Sequence, residues 1–450
     1  MSVAAAGLVF IGPSGASMRK MGSKAGAKEL MAAAGVPVVP GYTGEDQSPN
    51  TLAREAARIG FPLMIKAAHG GGGKGMRVVH RLEDFIAQLE SCQREAANAF
   101  GRDRVLLERY VASPRHIEIQ VLADAHGHTL HLNERECSAQ RRYQKVLEES
   151  PSPFLTPALR AAMGEAAVKA AQAIDYVNAG TVEFIVDPDG QFYFMEINTR
   201  LQVEHPVTEL VTGLDLVALQ IQIASGRSLT EVAGARPEER GHAVEARLNA
   251  EDPDRDFAPS PGRIARLEFP AGPGIRVDTG VAEGDTIPAD FDSMIAKVIA
   301  YGRDRDEALG RLRRAMNETR VIIEGGATNK SFVLDLLNQP EVIDGSADTG
   351  WIDRVRAQGR LVARQHAGVA LVAAAAGGAF KAKTKYGTIV VENVFYLPGL
   401  GRLIFQSIAN RDVIVVRNCV MLLAAMVIVV NFVVDVLYAA IDPRVKASDL

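Results

Sequence analysis

Residues 195–206 read Met-Glu-Ile-Asn-Thr-Arg-Leu-Gln-Val-Glu-His-Pro, and they set acids, amides and a guanidinium where a buried strand would be apolar. The two runs before them, 181–186 and 191–195, are rich in β-branched and aromatic residues. The tetrapeptide Asp-Pro-Asp-Gly at 187–190 joins these runs and is a turn signal of the hairpin kind. Such polar density at the end of a predicted hairpin indicates a ligand site.

The acids of this hairpin predict a metal site. Side chains alternate along a strand, so Glu183 can point into a cleft while Val182 and Phe184 pack behind it. Glu196 and Asn198 can face the same cleft from the second strand. Two carboxylates and an amide oxygen suit Mg²⁺ or Mn²⁺, and Mg²⁺ completes its octahedron with nucleotide phosphates and water. The alternative is a solvated hairpin with ordinary surface acids, and a second motif upstream argues against it.

That second motif is a strand, a glycine loop and another strand. Residues 61–66 form a strand-like run that ends in Lys66, and residues 70–75 read Gly-Gly-Gly-Gly-Lys-Gly. Glycine N–H groups can wrap phosphate oxygens, while Lys66 and Lys74 supply positive charge. The motif is not a P-loop, because Gly-Lys-Ser/Thr at the start of a helix is missing. Ahead of an acidic hairpin, this loop predicts a mobile flap over ATP.

With these motifs in this order, residues 7 to about 360 resemble the biotin carboxylases, the ATP-grasp subunit or domain of biotin-dependent acyl-CoA carboxylases. The resemblance implies an α+β fold, and the alternation of helix-like and strand-like segments agrees with it. An ATP-grasp domain at 23–230, with its flap at about 60–112, would precede a biotin carboxylase C-terminal domain at 238–355. Residues 1–22 would be the remnant of an N-terminal domain, which would weaken the family's homodimer contacts and expose an apolar face.

The same resemblance assigns roles to individual residues. Arg200, Gln202 and the backbone of Val203 would hold bicarbonate, with Glu204 as the base. Arg247 would meet the ureido oxygen of biotin. Tyr143 departs from the family, where many members carry His, and we expect an altered contact with the nucleotide there. The metal ions would be held by Glu183, Glu196 and Asn198. The nucleotide site would be lined by Lys24, Lys66, Gly72, Gly73, Glu108, Arg109, Tyr110, Val111, His116, Gln140, Tyr143 and Lys145, and Gln140 and Lys145 would also face bicarbonate.

The chemistry of the implied reaction fits these residue types. Bicarbonate would attack the γ-phosphorus of ATP to give carboxyphosphate, and a guanidinium such as Arg200 can grip this planar anion with paired hydrogen bonds. Lys66, Lys145 and Mg²⁺ would stabilise the charge of the transferring phosphoryl group. Arg247 suits the enolate-like ureido oxygen of deprotonated biotin. Either Glu204 or the released phosphate can take the biotin proton.

Composition limits the partners. The net charge of −4 with 23% charged residues gives no electrostatic case for nucleic acid. Three scattered cysteines and no visible secretory signal predict a cytoplasmic ligase core. No Ala-Met-Lys-Met biotinylation motif occurs, so biotin would arrive on a separate carrier protein, with a carboxyltransferase as the further partner.

The C-terminal part changes character after an alanine-rich linker at 356–383. Residues 384–450 resemble the C-terminus of dipeptide and oligopeptide transporter permeases. Within them, residues 419–441 contain no Lys, Arg or Glu and would span about 34 Å as a helix, so we expect a transmembrane helix and membrane association there. A ligase joined to the end of a permease indicates a chimeric gene.

Two other functions stay open from the sequence. Another ATP-grasp ligase, such as a carbamoyl-phosphate synthetase half, shares the flap and the acidic hairpin and would turn over ATP with ammonia. A catalytically dead, membrane-associated chimera or permease remnant would bind no nucleotide.

Overall fold

The protein is described here by a computed structural model over residues 3–68, 75–234 and 238–361. Its strands are β1 (Gly41–Tyr42), β2 (Leu63–Ala67), β3 (Met76–Val79), β4 (Val105–Arg109), β5 (Arg115–Ala123), β6 (Thr129–Arg141), β7 (Gln144–Ser150), β8 (Asn178–Val186), β9 (Phe192–Asn198), β10 (His242–Asn249), β11 (Glu251–Asp252), β12 (Ala258–Pro259), β13 (Gly262–Glu268), β14 (Ile275–Thr279), β15 (Thr286–Ile287), β16 (Met294–Gly302) and β17 (Arg320–Ile323). Its α-helices are α1 (Gly15–Lys20), α2 (Lys24–Ala33), α3 (Pro49–Ile59), α4 (Leu82–Phe100), α5 (Pro157–Ala173), α6 (His205–Thr212), α7 (Leu216–Ala224), α8 (Leu229–Val232), α9 (Arg305–Glu318), α10 (Lys330–Leu336), α11 (Pro340–Ile343) and α12 (Trp351–Ala357). The mixture of helix and sheet confirms the α+β prediction.

An eight-stranded antiparallel sheet carries the candidate site. Its strand order is β14-β16-β10-β7-β6-β5-β8-β9. Strands β5 to β9 come from the predicted ATP-grasp region, whereas β10, β14 and β16 come from the region predicted as the C-terminal domain. The strand β10 pairs with β7 on one side and with β16 on the other. The two predicted regions therefore share one sheet instead of meeting only through side chains.

The predicted hairpin and its turn are confirmed. Strands β8 and β9 pair antiparallel, with Glu183 opposite Glu196. In the turn, the Oδ1 atom of Asp187 accepts hydrogen bonds from the backbone N–H groups of Asp189 (3.1 Å) and Gln191 (2.8 Å). Gly190 has a φ of 81°, a left-handed conformation that glycine adopts without a Cβ clash. The turn chemistry read from the sequence thus closes the hairpin.

The flap is a separate small sheet with its own core. Its strand order is β1-β4-β2-β3, and β2 pairs antiparallel with β3, which confirms the two predicted strands. Alternation along β2 buries Leu63 and Ile65 against Phe85 and Leu89 of α4, so Lys66 points to the other face. Residues 69–74, which include Gly72, Gly73 and Lys74, lie outside the described residues.

Helices cover the eight-stranded sheet because their apolar positions recur at helical spacing. The helix α5 starts at its cap residue Thr156, whose Oγ1 accepts from the N–H of Leu159, and it buries Ala166, Ala167 and Ala170 against the sheet. Alanine at these positions lets the helix approach closely. On the C-terminal strands, α9 packs with the same periodicity over β16.

The N-terminal segment and the tail bear on two further predictions. Residues 7–11 form no strand, and Leu8, Val9, Phe10 and Ile11 are exposed. The predicted transmembrane helix 419–441 lies outside the described residues, together with the permease-like segment 384–450 and most of the alanine-rich linker. Among the described residues, no single helix is long and apolar enough to cross a membrane; α6 and α7 pass only as a pair bent by 93°.

Candidate active site

Charged side chains face each other across the strands of the eight-stranded sheet. Residues directly opposite in an antiparallel pair lie on the same face. Such opposed pairs are Lys297 with Arg247, Glu245 with Glu148, Arg135 with Glu118, Glu118 with Glu183, and Glu183 with Glu196. Each pair places charges side by side because strand alternation puts polar residues at matching positions. The candidate site is built on this arrangement.

Lys145, near the start of β7, contacts four other side chains of the site. Its Nζ atom donates to Glu118 Oε2 at 2.5 Å, Gln202 Oε1 at 3.2 Å and Glu183 Oε1 at 3.3 Å, and also to Glu204 Oε1. Burial alone would lower the pKa of Lys145, but the surrounding carboxylates raise it well above its usual value. An ammonium has three protons for these four acceptors. Lys145 is therefore a fixed, fully charged cation at neutral pH.

Glu183 is held as an ionised carboxylate on β8. His116 Nε2 lies 3.0 Å from its Oε2 atom, while Asn198 Nδ2 and Gln202 Nε2 donate to its Oε1 atom at 2.7 and 2.9 Å. Burial opposes the charge, but His116 and Lys145 hold the pKa of Glu183 well below its usual range. The same contact raises the pKa of His116 against the effect of burial.

The predicted metal ligands come together and their chemistry fits a hard cation. Glu183 lies opposite the exposed Glu196 in the strand register, and Asn198 contacts Glu183, so two acids and an amide are neighbours on the hairpin. Oxygen donors of this kind suit Mg²⁺ or Mn²⁺. A second group, His116, Glu118 and Glu183, also has ligand atoms within 4.8 Å of one another. The two groups share Glu183, whose Oε1 atom also accepts from Lys145, and Lys145 contacts Glu118 as well.

Four predicted bicarbonate residues lie on the segment between β9 and α6. Arg200 is exposed, and its Nη1 atom donates only weakly, at 3.3 Å, to the carbonyl of Leu201. Gln202 is buried beside Lys145. The carbonyl of Val203 accepts from Lys297 Nζ at 2.7 Å. The segment thus carries an exposed guanidinium two residues before the buried Gln202.

Glu204 connects the two halves of the site. It lies at the start of α6 and is 1% exposed. One of its oxygens accepts from Lys145, and the other accepts from Arg247 Nη2 at 3.0 Å. Arg247 also donates through Nε to Glu148 Oε1 at 2.6 Å, and these two acids raise the pKa of Arg247 although burial opposes this. The predicted catalytic residues Lys145, Glu204 and Arg247 are therefore in one hydrogen-bonded cluster.

The predicted nucleotide residues of the flap form a second cluster. Glu108 on β4 binds Lys66 Nζ at 2.5 Å and Lys28 Nζ at 3.0 Å. Burial would raise the pKa of Glu108, but these two lysines lower it to about 2. Arg109, the next residue, stacks on the ring of Tyr193 with its guanidinium carbon 5.3 Å from the ring centre. This stacking brings the flap strand against the hairpin.

Several predicted residues lie elsewhere or are described only in part. Tyr143 is 61% exposed at the tip of the β6–β7 hairpin, with a φ of 69°, and it makes no contact with the Lys145 cluster among the interactions of the described residues. Gln140 is buried on β6 opposite Lys145. Tyr110 and Val111 follow β4 directly. Lys24 begins α2, and its side chain lies outside what is described.

The sequence did not identify Arg135, a buried residue that hydrogen-bonds to Glu118 of the site. Arg135 is fully buried and donates to Glu118, to Gln120 (2.7 Å), to Thr208 (3.0 Å) and to Thr181 (3.0 Å). Its charge and that of Lys145 lower the pKa of Glu118 to about 2, although burial would raise it. The sequence does contain a pattern that indicates buried polar residues here, since His, Glu and Gln alternate with isoleucine over residues 116–120.

The fold and the site define the class of protein. A small flap sheet beside an acidic hairpin with a lysine that contacts several acids is typical of ATP-grasp ligases, and residues 23–232 match the family Carbamoyl-phosphate synthase L chain, ATP binding domain. Residues 245–354 match the Biotin carboxylase C-terminal domain. Biotin carboxylase 1 of Bacillus subtilis (strain 168) is 50% identical over 347 residues, 77% of this chain and 76% of that protein. This chain therefore belongs to the biotin carboxylase family.

Further comparisons agree with this family. The mitochondrial methylcrotonoyl-CoA carboxylase subunit alpha of Dictyostelium discoideum is 50% identical over 347 residues, 77% of this chain and 49% of that protein. The chain thus spans about half the length of the first curated relatives it matches. The biotin carboxylase domain dimer of Hydrogenobacter thermophilus 2-oxoglutarate carboxylase, solved with MgADP, ADP and bicarbonate, is similar with a TM-score of 0.74 and 42% identity, covering 78% of this chain and 77% of that one.

The tail matches a different family. Residues 372–447 match Binding-protein-dependent transport system inner membrane component, in agreement with the resemblance to a permease. This match covers residues outside the described part of the chain.

Proposed function

We propose that this chain catalyses the ATP-dependent carboxylation of biotin on a carrier protein, with bicarbonate as the carboxyl source and carboxyphosphate as the intermediate. One observation carries the proposal. Glu204 accepts hydrogen bonds from both Lys145, which also contacts the hairpin acid Glu183, and Arg247, which lies on the C-terminal strand β10. A nucleotide site and a biotin site built on these residues would be adjacent, as transfer of a carboxyl group between them requires.

The first step needs bicarbonate to be held in line with the γ-phosphoryl group. The exposed guanidinium of Arg200 would bind this planar anion at two oxygens, beside Gln202 and the backbone of Val203. Lys145 is held by buried acids and so costs little reorganisation when charge develops on the phosphoryl oxygens. Mg²⁺ or Mn²⁺ held by Glu183, Glu196 and Asn198 would neutralise phosphate charge when bound. Lys66, which forms an ion pair with Glu108, would approach the phosphates from the flap.

The second step removes a proton from a very weakly acidic biotin nitrogen. Arg247 would donate to the ureido oxygen and stabilise the negative charge that develops there. Glu204 is the carboxylate next to Arg247, 3.0 Å from its Nη2 atom, and would accept the proton. Phosphate released from carboxyphosphate is the other acceptor that the chemistry allows.

The remaining assignments complete the proposal. The ATP-grasp domain would extend over 23–230 and the biotin carboxylase C-terminal domain over 238–355, and the family matches at 23–232 and 245–354 support these bounds. The partners would be a biotin carrier, a carboxyltransferase and a second copy of the chain, because the similar Hydrogenobacter thermophilus domain is a dimer. The core would be cytoplasmic. The tail would contribute membrane association through residues 419–441, supported by its match to a transport-system membrane component.

The testing experiment measures ADP release from the full chain with ATP, bicarbonate and free biotin. We expect turnover that depends on both bicarbonate and biotin. Arg200→Ala should lower bicarbonate-dependent turnover at least about a hundredfold, as expected for loss of a group that stabilises the reacting anion, while ATP affinity stays nearly constant. Arg263→Ala is the matched control, since Arg263 pairs with Glu324 on the surface of β13.

Other outcomes point to the alternatives. Unchanged turnover in Arg200→Ala would remove the bicarbonate assignment. Turnover that requires ammonia and ignores biotin would identify another ATP-grasp ligase. Membrane association that resists carbonate washing, together with no nucleotide binding, would identify an inactive chimera.

A further inference from the structure

Two acids behind Arg247 have buried oxygens that lack partners. Among the described residues, both carboxyl oxygens of Glu245 and the Oε2 atom of Glu148 are buried and accept no hydrogen bond from a protein group. Glu245 is 0% exposed and Glu148 is 1% exposed. An ionised carboxylate at such a position has lost its hydration without compensation, which is strongly unfavourable. The proposed reaction gives Glu245 no role.

The two acids face each other directly. Glu245 on β10 lies opposite Glu148 on β7 in the antiparallel register. Side chains of opposed residues share one face, with Cβ atoms about 4.5–5.5 Å apart. Two carboxyl groups so placed can reach each other, and two carboxylates cannot both ionise there without strong repulsion.

The neighbouring cations are already engaged. Arg247 contacts Glu148 and Glu204, and Lys297 on β16 contacts the carbonyl of Val203 and, at 3.2 Å, Asp278. Lys145, from β7, is held by the acids of its own cluster. The helix α6 packs over β10, but its His205 pairs with Glu209, and Glu209 pairs with Arg276. Among the described residues, no cation makes a direct contact with Glu245, and Lys297 and Arg247 act on it only through space.

We propose that Glu245 and Glu148 share one proton and that this pair is a positioning device for Arg247. The inference rests on the proposed function where it assigns biotin to Arg247. A proton on Glu245 that is donated to Glu148 Oε2 would give partners to two of the three orphaned oxygens. The third would be the carbonyl oxygen of a neutral acid, which is far cheaper to bury than a charge. Glu148 would keep one negative charge for Arg247.

The electrostatics of the site agree with this arrangement. Burial raises the pKa of both acids, and the proximity of Glu148 raises that of Glu245 further, well above its usual value. Loss of the shared proton would add a negative charge beside Glu148. That charge would draw the guanidinium of Arg247 away from Glu204 and from a ureido oxygen. We therefore expect an alkaline decline of biotin-dependent activity that originates at this pair.

Infrared spectroscopy tests the proton independently of any activity. The full chain at pH 7 should show the carbonyl band of a protonated carboxylic acid, which shifts in D₂O and disappears in Glu245→Gln. The control, Glu268→Gln, changes an exposed acid on β13 and should keep the band. The cavity of about 30 Å³ lined partly by Glu148 has room for about two waters. Absence of the band would mean that both acids are ionised, and it would overturn the proposal.

Kinetics test the positioning role. Glu148→Gln should raise the KM for free biotin about tenfold or more, the scale for losing a hydrogen bond between charged groups, with the KM for ATP within about twofold. Glu245→Gln can still donate to Glu148 and should recover biotin binding relative to Glu245→Leu, with no alkaline decline from this pair. Equal effects on ATP and biotin, or equal behaviour of the Gln and Leu variants, would refute the role.

The infrared experiment tests the shared proton independently of the turnover assay that tests the proposed function. Wild-type protein without bicarbonate-dependent turnover would contradict the proposed function, while the infrared band would still decide whether the proton is shared. If Glu245→Gln does not fold, the band in Glu148→Gln must change frequency, because its hydrogen-bond acceptor has been replaced. An unchanged frequency there would overturn the shared proton.

Discussion

Replacement of Arg135 tests whether a buried charge supports the site without touching substrate. Arg135 is fully buried and donates to Glu118, Gln120, Thr181 and Thr208. Arg135→Met removes these four bonds and leaves Glu118, whose carboxylate stays buried, with Lys145 as its remaining cation. Breaking a buried ion pair by removing one partner costs about 3–5 kcal/mol of the free energy of unfolding.

The loss of unfolding free energy lowers the melting temperature by an amount that depends on how many residues unfold together. Unfolding entropy is about 2.1 cal/mol/K per residue, so the compact unit Met1–Leu361 unfolds with about 0.76 kcal/mol/K. The expected fall in melting temperature is therefore about 4–7 °C. Differential scanning calorimetry of the full chain measures it. Arg135→Lys keeps a charge for Glu118 but loses the fork geometry, so its fall should be smaller.

An exposed arginine provides the control for this prediction. Arg263→Met removes a surface ion pair with Glu324 and should shift the melting temperature by less than about 1 °C. A fall of the same small size in Arg135→Met would refute the reasoning, because the buried network would then contribute no more than a surface pair.

Two further predictions concern pH and metal. Glu108 has a folded-state pKa of about 2 against an ordinary 4.5, so its contribution to stability is present above pH 4.5 and is lost as pH falls towards 2. Glu108→Gln should lower the melting temperature at pH 7 and flatten its decline between about pH 5 and pH 2, and an equally steep decline would contradict the pairing with Lys28 and Lys66. Glu196→Gln should weaken Mn²⁺ binding, followed by electron paramagnetic resonance, by about tenfold or more, whereas Glu268→Gln should not change it. Equal Mn²⁺ affinity in Glu196→Gln and the wild type would remove Glu196 from the metal site.

The local structure of the site could be read from the sequence. Strand alternation and the Asp-Pro-Asp-Gly turn predicted the β8–β9 hairpin, and the lysine before the glycine loop predicted the two strands of the flap. These features depend on residues close in the chain, so their spacing encodes them. The resemblance to biotin carboxylases named Lys145, Glu204 and Arg247, which the structure joins by hydrogen bonds.

The orientation of Tyr143 depends on the turn in which it lies. The resemblance predicts an altered nucleotide contact at this position, and in this structure Tyr143 is exposed at a hairpin tip. Arg142 and Tyr143 both adopt positive φ at this tip, a conformation uncommon for non-glycine residues. Whether Tyr143 contacts the nucleotide stays a prediction, because the motif does not encode the direction of the tip.

The sequence by itself determined the elements, the family and the residue types of the site, because periodicity and motifs are local properties. Only the tertiary structure decided which strands are neighbours. Pairing of β10 with β7 puts Glu245 against Glu148 and brings Arg247 to Glu204, although 43 positions separate the last two in the chain. Arg135 and Glu118 became the support of the site for the same reason. A buried charge is tolerated only beside its partners, and partners so distant in sequence meet only when the sheet is assembled.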